Sequence, residues 1–349
     1  MNEFKKLIMM ANQGADAKEY PPYLCFEALE DDFQASFNGE NCEYSLDREV
    51  WVMLTKSEYT PKIKAGDKIY FKNSSPVQSS STKGVGEFSA TKLFNIYGRA
   101  TSMLYGDDFV NIQSVDKAYI LARMFVSNKR VCSVDDEFFN IGISNAYRIF
   151  NNCFWMSSLI KAEIPYFEST QGYAFTGAFQ QSKLTEITIS DDYLANNSDF
   201  QAAFSECNIS SLVIPKIKSG IYTCSSIAKN CKNLNTVIIK GGAYNTGCFY
   251  NAFEGCSSLT KIISLYTSKF LNKSVCSNWL NGVSEQGVII FNKNIEWNPK
   301  DIINGNTNDN GEVITWGIPA GWEVKYCDPD NIDDVRDNKE DFYPQERGR

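Results

Sequence analysis

Histidine is absent from all 349 residues. Its absence removes Ser-His-Asp and Cys-His catalysis, imidazole metal ligands and a histidine proton shuttle together. Long apolar runs are missing too. No stretch approaches the roughly 18 residues of a membrane-spanning helix, so no membrane insertion is expected. No CxxC pair occurs, and Cys224 and Cys231 have no companion ligands nearby, so no zinc site is indicated. Clustered Lys and Arg are lacking, and the net charge is −8. A phosphate backbone needs a basic stripe, so no nucleic-acid partner is expected. Acids remain for chemistry, but no spacing singles out the facing pair that glycoside hydrolysis needs. The chain reads as no enzyme, and no cofactor is expected.

What is present is a repeat. Residues 122–283 read as six or seven copies of a unit about 25 residues long. The clearest copy is Ala252-Phe253-Glu254-Gly255-Cys256, echoed by Ala203-Phe204-Ser205-Glu206-Cys207 and Ala178-Phe179-Gln180-Gln181-Ser182. Taking one apolar residue per copy marks Phe125, Phe150, Phe179, Phe204, Ala228, Phe253 and Leu280. Their steps are 25, 29, 25, 24, 25 and 27 residues. After each Cys or Ser comes an apolar pattern two, three and two apart. It runs Leu184, Ile187, Ile189, then Ile209, Leu212, Ile214, then Leu234, Val237, Ile239. Its closing step is strand alternation. The Ala-Phe half, with Tyr147, Tyr173 and Tyr250, suits a short helix or turn. One such unit cannot bury its apolar face alone, so stacked copies forming a solenoid are expected.

The strings AFEGCSSLTKI and AFSECNISSLVIP resemble the leucine-rich repeats of BspA-like proteins of Bacteroides and its relatives. The flanks YLCFEALEDDFQASF, GVGEFSATKLFNIYGRATSMLYGDDF and WLNGV…IEWNP…GIPAGWEV are similar to those of gut members, so the likeness spans roughly residues 21–326. The copies here are degenerate, with Ser182 at a Cys position and Ala228 at a Phe position. The resemblance implies adhesion or surface recognition, and such members occur in phages as well as bacteria.

The fold class expected is β-rich with short helices (α+β): a β-sandwich-like N-terminal module followed by a BspA-type leucine-rich-repeat solenoid. Residues 1–20 read as an N-terminal arm, with Phe4, Leu7, Ile8 and Ala11 on one helix face. Their apolar run Leu7–Ala11 is only five long, short of the roughly 7–15 of a signal h-region, so no signal peptide is expected. Residues 21–121 alternate as strands with turns at Asn38-Gly39 and Ala65-Gly66-Asp67, and carry a Ser-rich loop at 73–83. Trp51 reads as a core residue of a central strand before a sugar platform. Leu104–Phe109 reads as the cap onto the repeats. Residues 284–326 read as a C-terminal capping segment. Residues 327–349 form an acidic tail, eight acids against four bases, in which Phe342-Tyr343-Pro344 offers an anchor for docking on another subunit.

Eleven cysteines include Cys153, Cys207, Cys231 and Cys256, read as in phase and therefore as a ladder of buried, reduced thiols. Two candidate surfaces stand out. Thr188, Val213, Ile238 and Ile263 occupy the outward position between the last two core residues of successive strands and read as an exposed partner stripe. Asp at Val213 and Ile238 is expected to abolish a contact without unfolding the chain. Trp297, Trp316 and Trp322 could form an aromatic ligand platform, beside their capping role. The expected function is non-enzymatic recognition by a virion structural or host-attachment protein of a Bacteroides phage, found in the virion. The alternative is a BspA-like adhesin or interaction module on the bacterial cell surface. A glycan-active enzyme is the third reading. The partners are other virion proteins or a host cell-surface protein or glycan, and a homo-oligomer is compatible.

Overall fold

A computed structural model describes residues 23–77 and 84–328. The 1–20 arm, residues 78–83 of the Ser-rich loop and nearly all of the acidic tail lie outside the described residues. The chain is β-rich with a few one-turn helices. In chain order the first strands are β1 (Leu24–Ala28), β2 (Ala35–Phe37), β3 (Cys42–Ser45), β4 (Val52–Met53), β5 (Lys68–Asn73), β6 (Phe88–Ala90) and β7 (Phe94–Tyr97). Then follow β8 (Ser114–Val115), β9 (Val131–Val134), β10 (Ile143–Ser144), β11 (Lys161–Ile164), β12 (Glu168–Ser169), β13 (Glu186–Ile189) and β14 (Leu194–Ala195). The last are β15 (Ser211–Ile214), β16 (Lys216–Ile217), β17 (Thr236–Ile239), β18 (Lys261–Ser264), β19 (Gly287–Asn292) and β20 (Trp322–Cys327).

Two large sheets carry the molecule. One has the order β13-β11-β9-β7-β1-β5-β3-β4, and the other has β15-β17-β18-β19-β20. The N-terminal strands pair antiparallel, but β7 also pairs parallel with β9. The sheet therefore runs unbroken past residue 121 into the first repeat, and its β1–β7 part is what covers the apolar edge there. Phe26 shows the continuity, its ring lying 4.7 Å from Phe71 and 5.7 Å from Phe125. The short sheet β2–β6 closes this core from the other side, with Phe37 and Phe88 4.6 Å apart. Leu104 and Phe109 do not cap the repeats. They belong to one-turn helices tied to the far side of the module, where the Ser102 hydroxyl donates to the carbonyl of Phe71 in β5.

Each repeat makes one three-sided coil. The first side is a main-sheet strand, and the apolar pattern read from sequence faces inward there: Leu184, Ile209, Leu212, Ile214, Leu234, Val237 and Ile239 are all buried. The second side is a short outer ladder, β8-β10-β12 and then β14-β16. The third side, the Ala-Phe half, is a ribbon of turns rather than a helix. In it every fourth residue has positive φ, as at Tyr119, Arg123 and Ser127, then Arg148, Asn152 and Met156. Alternate amides close turns within the coil, and the others bond to the next coil, as Leu121 to Ile149, Phe125 to Cys153 and Phe154 to Ala178. This accounting satisfies a stretch of backbone that is neither helix nor strand.

The ribbon also corrects the phase. Phe125, Phe154, Phe179 and Phe204 stack as one column, with centroids 5.1, 5.7 and 5.5 Å apart. Phe150 sits four residues earlier, in a second column with Phe175 and Phe200 at 5.4 and 5.6 Å. The thiol ladder shifts accordingly. Cys207, Cys231 and Cys256 hold equivalent positions and donate to the carbonyls of Phe179, Phe204 and Ala228 at 3.0, 2.9 and 3.0 Å. Ser182 joins this row 3.5 Å from Cys207, whereas Cys153 lies outside it. All eleven cysteines are free thiols, ten of them buried.

The repeats continue beyond residue 283. β19 pairs parallel with β18, and β20 pairs parallel with β19, so residues 284–326 extend the ladder instead of closing it. The one seam is staggered around the coil of β13 and β14. The outer ladder stops between β12 and β14, and the main sheet stops one joint later, between β13 and β15. Side chains bridge the first gap. Asn196 Nδ2 donates to Ser169 O at 3.2 Å, and Asp199 Oδ1 accepts from the Ala174 amide at 3.0 Å. Asp199 Oδ2 accepts from the Asn196 amide at 2.7 Å and from the Tyr193 hydroxyl at 3.3 Å. Full burial pushes this carboxyl up to about 6.

Candidate functional site

The main sheets have one face in the core and one facing away from it, and the second face carries the candidate residues. Strand alternation fixes which side chains occupy it. Along the C-terminal sheet the register runs Val213↔Ile238↔Ile263↔Ile290. Three of the four residues read as a partner stripe are therefore neighbours. Thr188 is not among them, because β13 belongs to the other sheet.

The stripe is not an exposed one. Thr188 is exposed and Val213 half-buried, but Ile238 is 7% and Ile263 0% accessible. Ile290, beyond the boundary drawn at residue 283, extends the row at 0% and forms a separate apolar cluster with Ile238, Ile263 and Cys327. The continuous apolar run Val288-Ile289-Ile290-Phe291, apolar on both faces of its strand, carried the signal for it. The tryptophan platform is overturned as well. Trp297, Trp316 and Trp322 are 8%, 6% and 4% accessible. Trp297 packs against Phe291 at 5.3 Å, and Trp322 donates its indole N–H to Ser284 O at 2.8 Å. These rings fill the coils of β19 and β20 and offer no face to a ligand.

The N-terminal half of the same face has a different chemistry. Its register places Tyr70 and Tyr97 on either side of Cys25, and Lys68 and Asn95 on either side of Glu27. Both tyrosines are half-buried. Lys68 Nζ lies 5.6 Å from the Tyr97 ring centre, and the Arg48 guanidinium 5.4 Å from that of Tyr70. Trp51 is no central-strand core residue. It is half-buried beside the edge strand β4, packs edge-on to Tyr23 at 4.8 Å, and carries Lys72 Nζ 4.4 Å above its ring. Lys72 bonds Asp107 at 2.7 Å and approaches Glu43 at 3.7 Å. That hydrogen bond is the main reason the Asp107 carboxyl lies below its usual range.

Polar groups gather around the Tyr97 ring. The Tyr97 hydroxyl donates to Glu27 at 2.9 Å, and Ser133 donates to Asn95 at 2.7 Å. Burial, then the Glu27 bond, pushes Tyr97 up to about 12. Desolvation raises Asp135 to about 7, and its Oδ2 is buried with no hydrogen-bond partner. Sequence reading picked out Trp51 alone of this group, because the rest come mainly from β1, β5 and β7, which antiparallel pairing brings together, and from β9, which pairs parallel with β7.

The arrangement presents aromatic faces ringed by fixed donors and acceptors on a stiff sheet. Among the described residues, no group of three or more Cys, Asp or Glu is placed to hold a metal ion. No described helix is long and apolar enough to cross a membrane. Compared with protein-family models, curated proteins and solved structures, the chain matches none.

Proposed function

We propose that the protein is a non-enzymatic recognition protein: a BspA-like leucine-rich-repeat solenoid behind a β-sandwich-like module. It binds through the polar-aromatic half of its sheet face. The observation that carries this reading is the set of Trp51, Tyr70 and Tyr97, each paired with a cation and flanked by Glu27, Asn95 and Ser133. Rings of this kind stack on the apolar faces of sugars while neighbouring polar groups take the hydroxyls, so the ligand class is a host cell-surface glycan. The setting is a virion structural or host-attachment protein of a Bacteroides phage. Eleven unpaired thiols support folding in a reducing cytoplasm before release in a particle.

A second reading, a contact with another protein, is favoured by the sheet edge. At β4 the large apolar residues Leu46, Val50, Val52 and Met53 are 50%, 64%, 44% and 52% exposed. An edge strand with apolar side chains is a template for a partner strand, whether from a virion protein, a bacterial surface partner or a second copy. Binding to intact host cells tests the main reading. Trp51→Ala with Tyr97→Ala lowers affinity at least tenfold, read well below the variant's own lowered thermal midpoint so that the chain is folded. Unchanged binding by the folded double variant sinks it. Quantitative mass spectrometry of purified particles and washed cells tests the setting. Peptides scaling with the capsid support the virion, and peptides confined to cells support a surface adhesin.

A further inference from the structure

The ribbon carries a second aromatic group, away from the main sheets. Tyr119, Arg148 and Tyr173 hold one place in three successive coils, each six residues ahead of the stacked Phe125, Phe154 and Phe179. All three have positive φ, the conformation of the ribbon's turns. Tyr147 joins them, its ring 5.8 Å from that of Tyr119 and 4.8 Å from that of Tyr173. The Arg148 guanidinium lies 5.8, 5.0 and 5.1 Å from the ring centres of Tyr119, Tyr147 and Tyr173. All four side chains belong to half-buried residues. In the following coil the place passes to buried Ser198, which ends the group.

A cation–π contact engages the ring faces but uses no N–H. A guanidinium carries five donors, and those of Arg148 meet no acceptor among the described residues. Its Nε is buried without a partner. Arg123, on the same ribbon, is by contrast held by Glu87 at 3.2 Å. The Asp116 carboxylate accepts from the Asn145 side chain at 2.8 Å, not from Arg148. An unpaired buried donor is costly, and a half-open one among three rings is set to take an acceptor from outside.

We infer that Arg148 with Tyr119, Tyr147 and Tyr173 forms a separate binding site for an acidic sugar. The sugar ring lies on the tyrosines and its carboxylate meets the guanidinium. Arginine suits this task because its planar fork donates to both oxygens of a carboxylate. A polar rail runs three residues ahead of the column, where Asn145 donates to Asp116 and Thr170 donates to Asn145, both at 2.8 Å. It sets amide and hydroxyl groups in fixed positions beside the rings, which sugar hydroxyls need and a bare anion does not. The site shares no residue with the sheet face of Trp51, Tyr70 and Tyr97 and stands whether or not that face binds.

Arginine modification by phenylglyoxal, read residue by residue by mass spectrometry of the native full chain, tests this without a substitution. A galacturonic acid tetramer slows the reaction of Arg148 severalfold, and its methyl ester, which lacks the charge, does not. Arg48, beside Tyr70, reports on the sheet face in the same spectra. Arg148→Gln lowers affinity for the tetramer about tenfold. Lys183→Gln, an equal loss of charge at an exposed residue, leaves it unchanged. An Arg148 that stays unprotected overturns the inference. Protection of Arg48 alone also does so, because it assigns the acidic sugar to the sheet face. Equal protection by acetate reduces the group to an anion patch, and equal protection by the methyl ester reduces it to an aromatic one. Equal protection by polyglutamate makes it a peptide site. Each of these three results overturns the inference too.

Discussion

The outward faces of the two large sheets have opposite characters. At β5, β1 and β7 the face is half-open, with Tyr70, Tyr97 and Lys68 set beside charges and hydroxyls. At β17, β18 and β19 it is apolar and closed, with Ile238, Ile263 and Ile290 almost without access to solvent. The strands beneath are antiparallel in the first sheet and parallel in the second. The difference teaches that a strand's outward row does not declare its own exposure: the same position holds exposed Thr188 and buried Ile263. What decides is whether some other part of the molecule pays the desolvation, and that is not written in the strand.

The largest effect is expected where the closed half is broken. Ile263→Asp places a charge in a buried apolar row and should destabilise by roughly 4 kcal/mol or more, whereas Thr188→Asp should cost under about 0.5 kcal/mol. Urea unfolding of the two variants reads the contrast, and similar midpoint shifts would erase it. The expectation that Asp at Ile238 spares the fold is withdrawn for the same reason.

The seam between the halves is next, through pH. The Asp199 carboxyl is raised to about 6 when folded, against an ordinary value near 4. Between these values the native state binds more protons than the unfolded one, so stability falls as pH rises through this window. The penalty is absent below about pH 4, complete above about pH 6, and of order 3 kcal/mol. Asp199→Asn should flatten this component of a stability–pH curve measured on both proteins. A smaller change is expected in the open half. Lys72→Met should cost about 1–2 kcal/mol, because Glu43 loses its cation and Trp51 its cation–π contact. Smallest is Tyr97→Phe, which removes the bond to Glu27 for about 1 kcal/mol or less. It should still weaken ligand binding measurably, sharpening the contrast with the closed half.

The strand side of each coil was legible in the sequence, because Leu212, Ile214, Val237 and Ile239 follow a period that only a half-buried strand produces. The ribbon was not. Its left-handed positions are held by Tyr119, Arg123 and Ser127, residues that carry no glycine-like signal. The phase slip has a similar cause. Phe150 and Phe154 both recur in the next copy, and each is followed three residues later by Cys or Ser, so only ring stacking separates them. Tryptophan misled because its ring fills the coils as readily as it faces a ligand: Trp322 donates to Ser284 O there, and Trp297 is buried with its indole N–H unpartnered. The open aromatic group stayed hidden because Tyr70 and Tyr97 meet only through β1, across long sequence separation.

The most direct measurement is hydroxyl-radical footprinting of the native full-length chain, with each residue's rate normalised to its intrinsic reactivity. A divided face predicts ready labelling of Trp51, Tyr70 and Tyr97, lost when the chain is bound to host cells, and strong protection of Ile238, Ile263 and Ile290 throughout. Equal labelling of the two groups, or aromatic labelling untouched by binding, would contradict it.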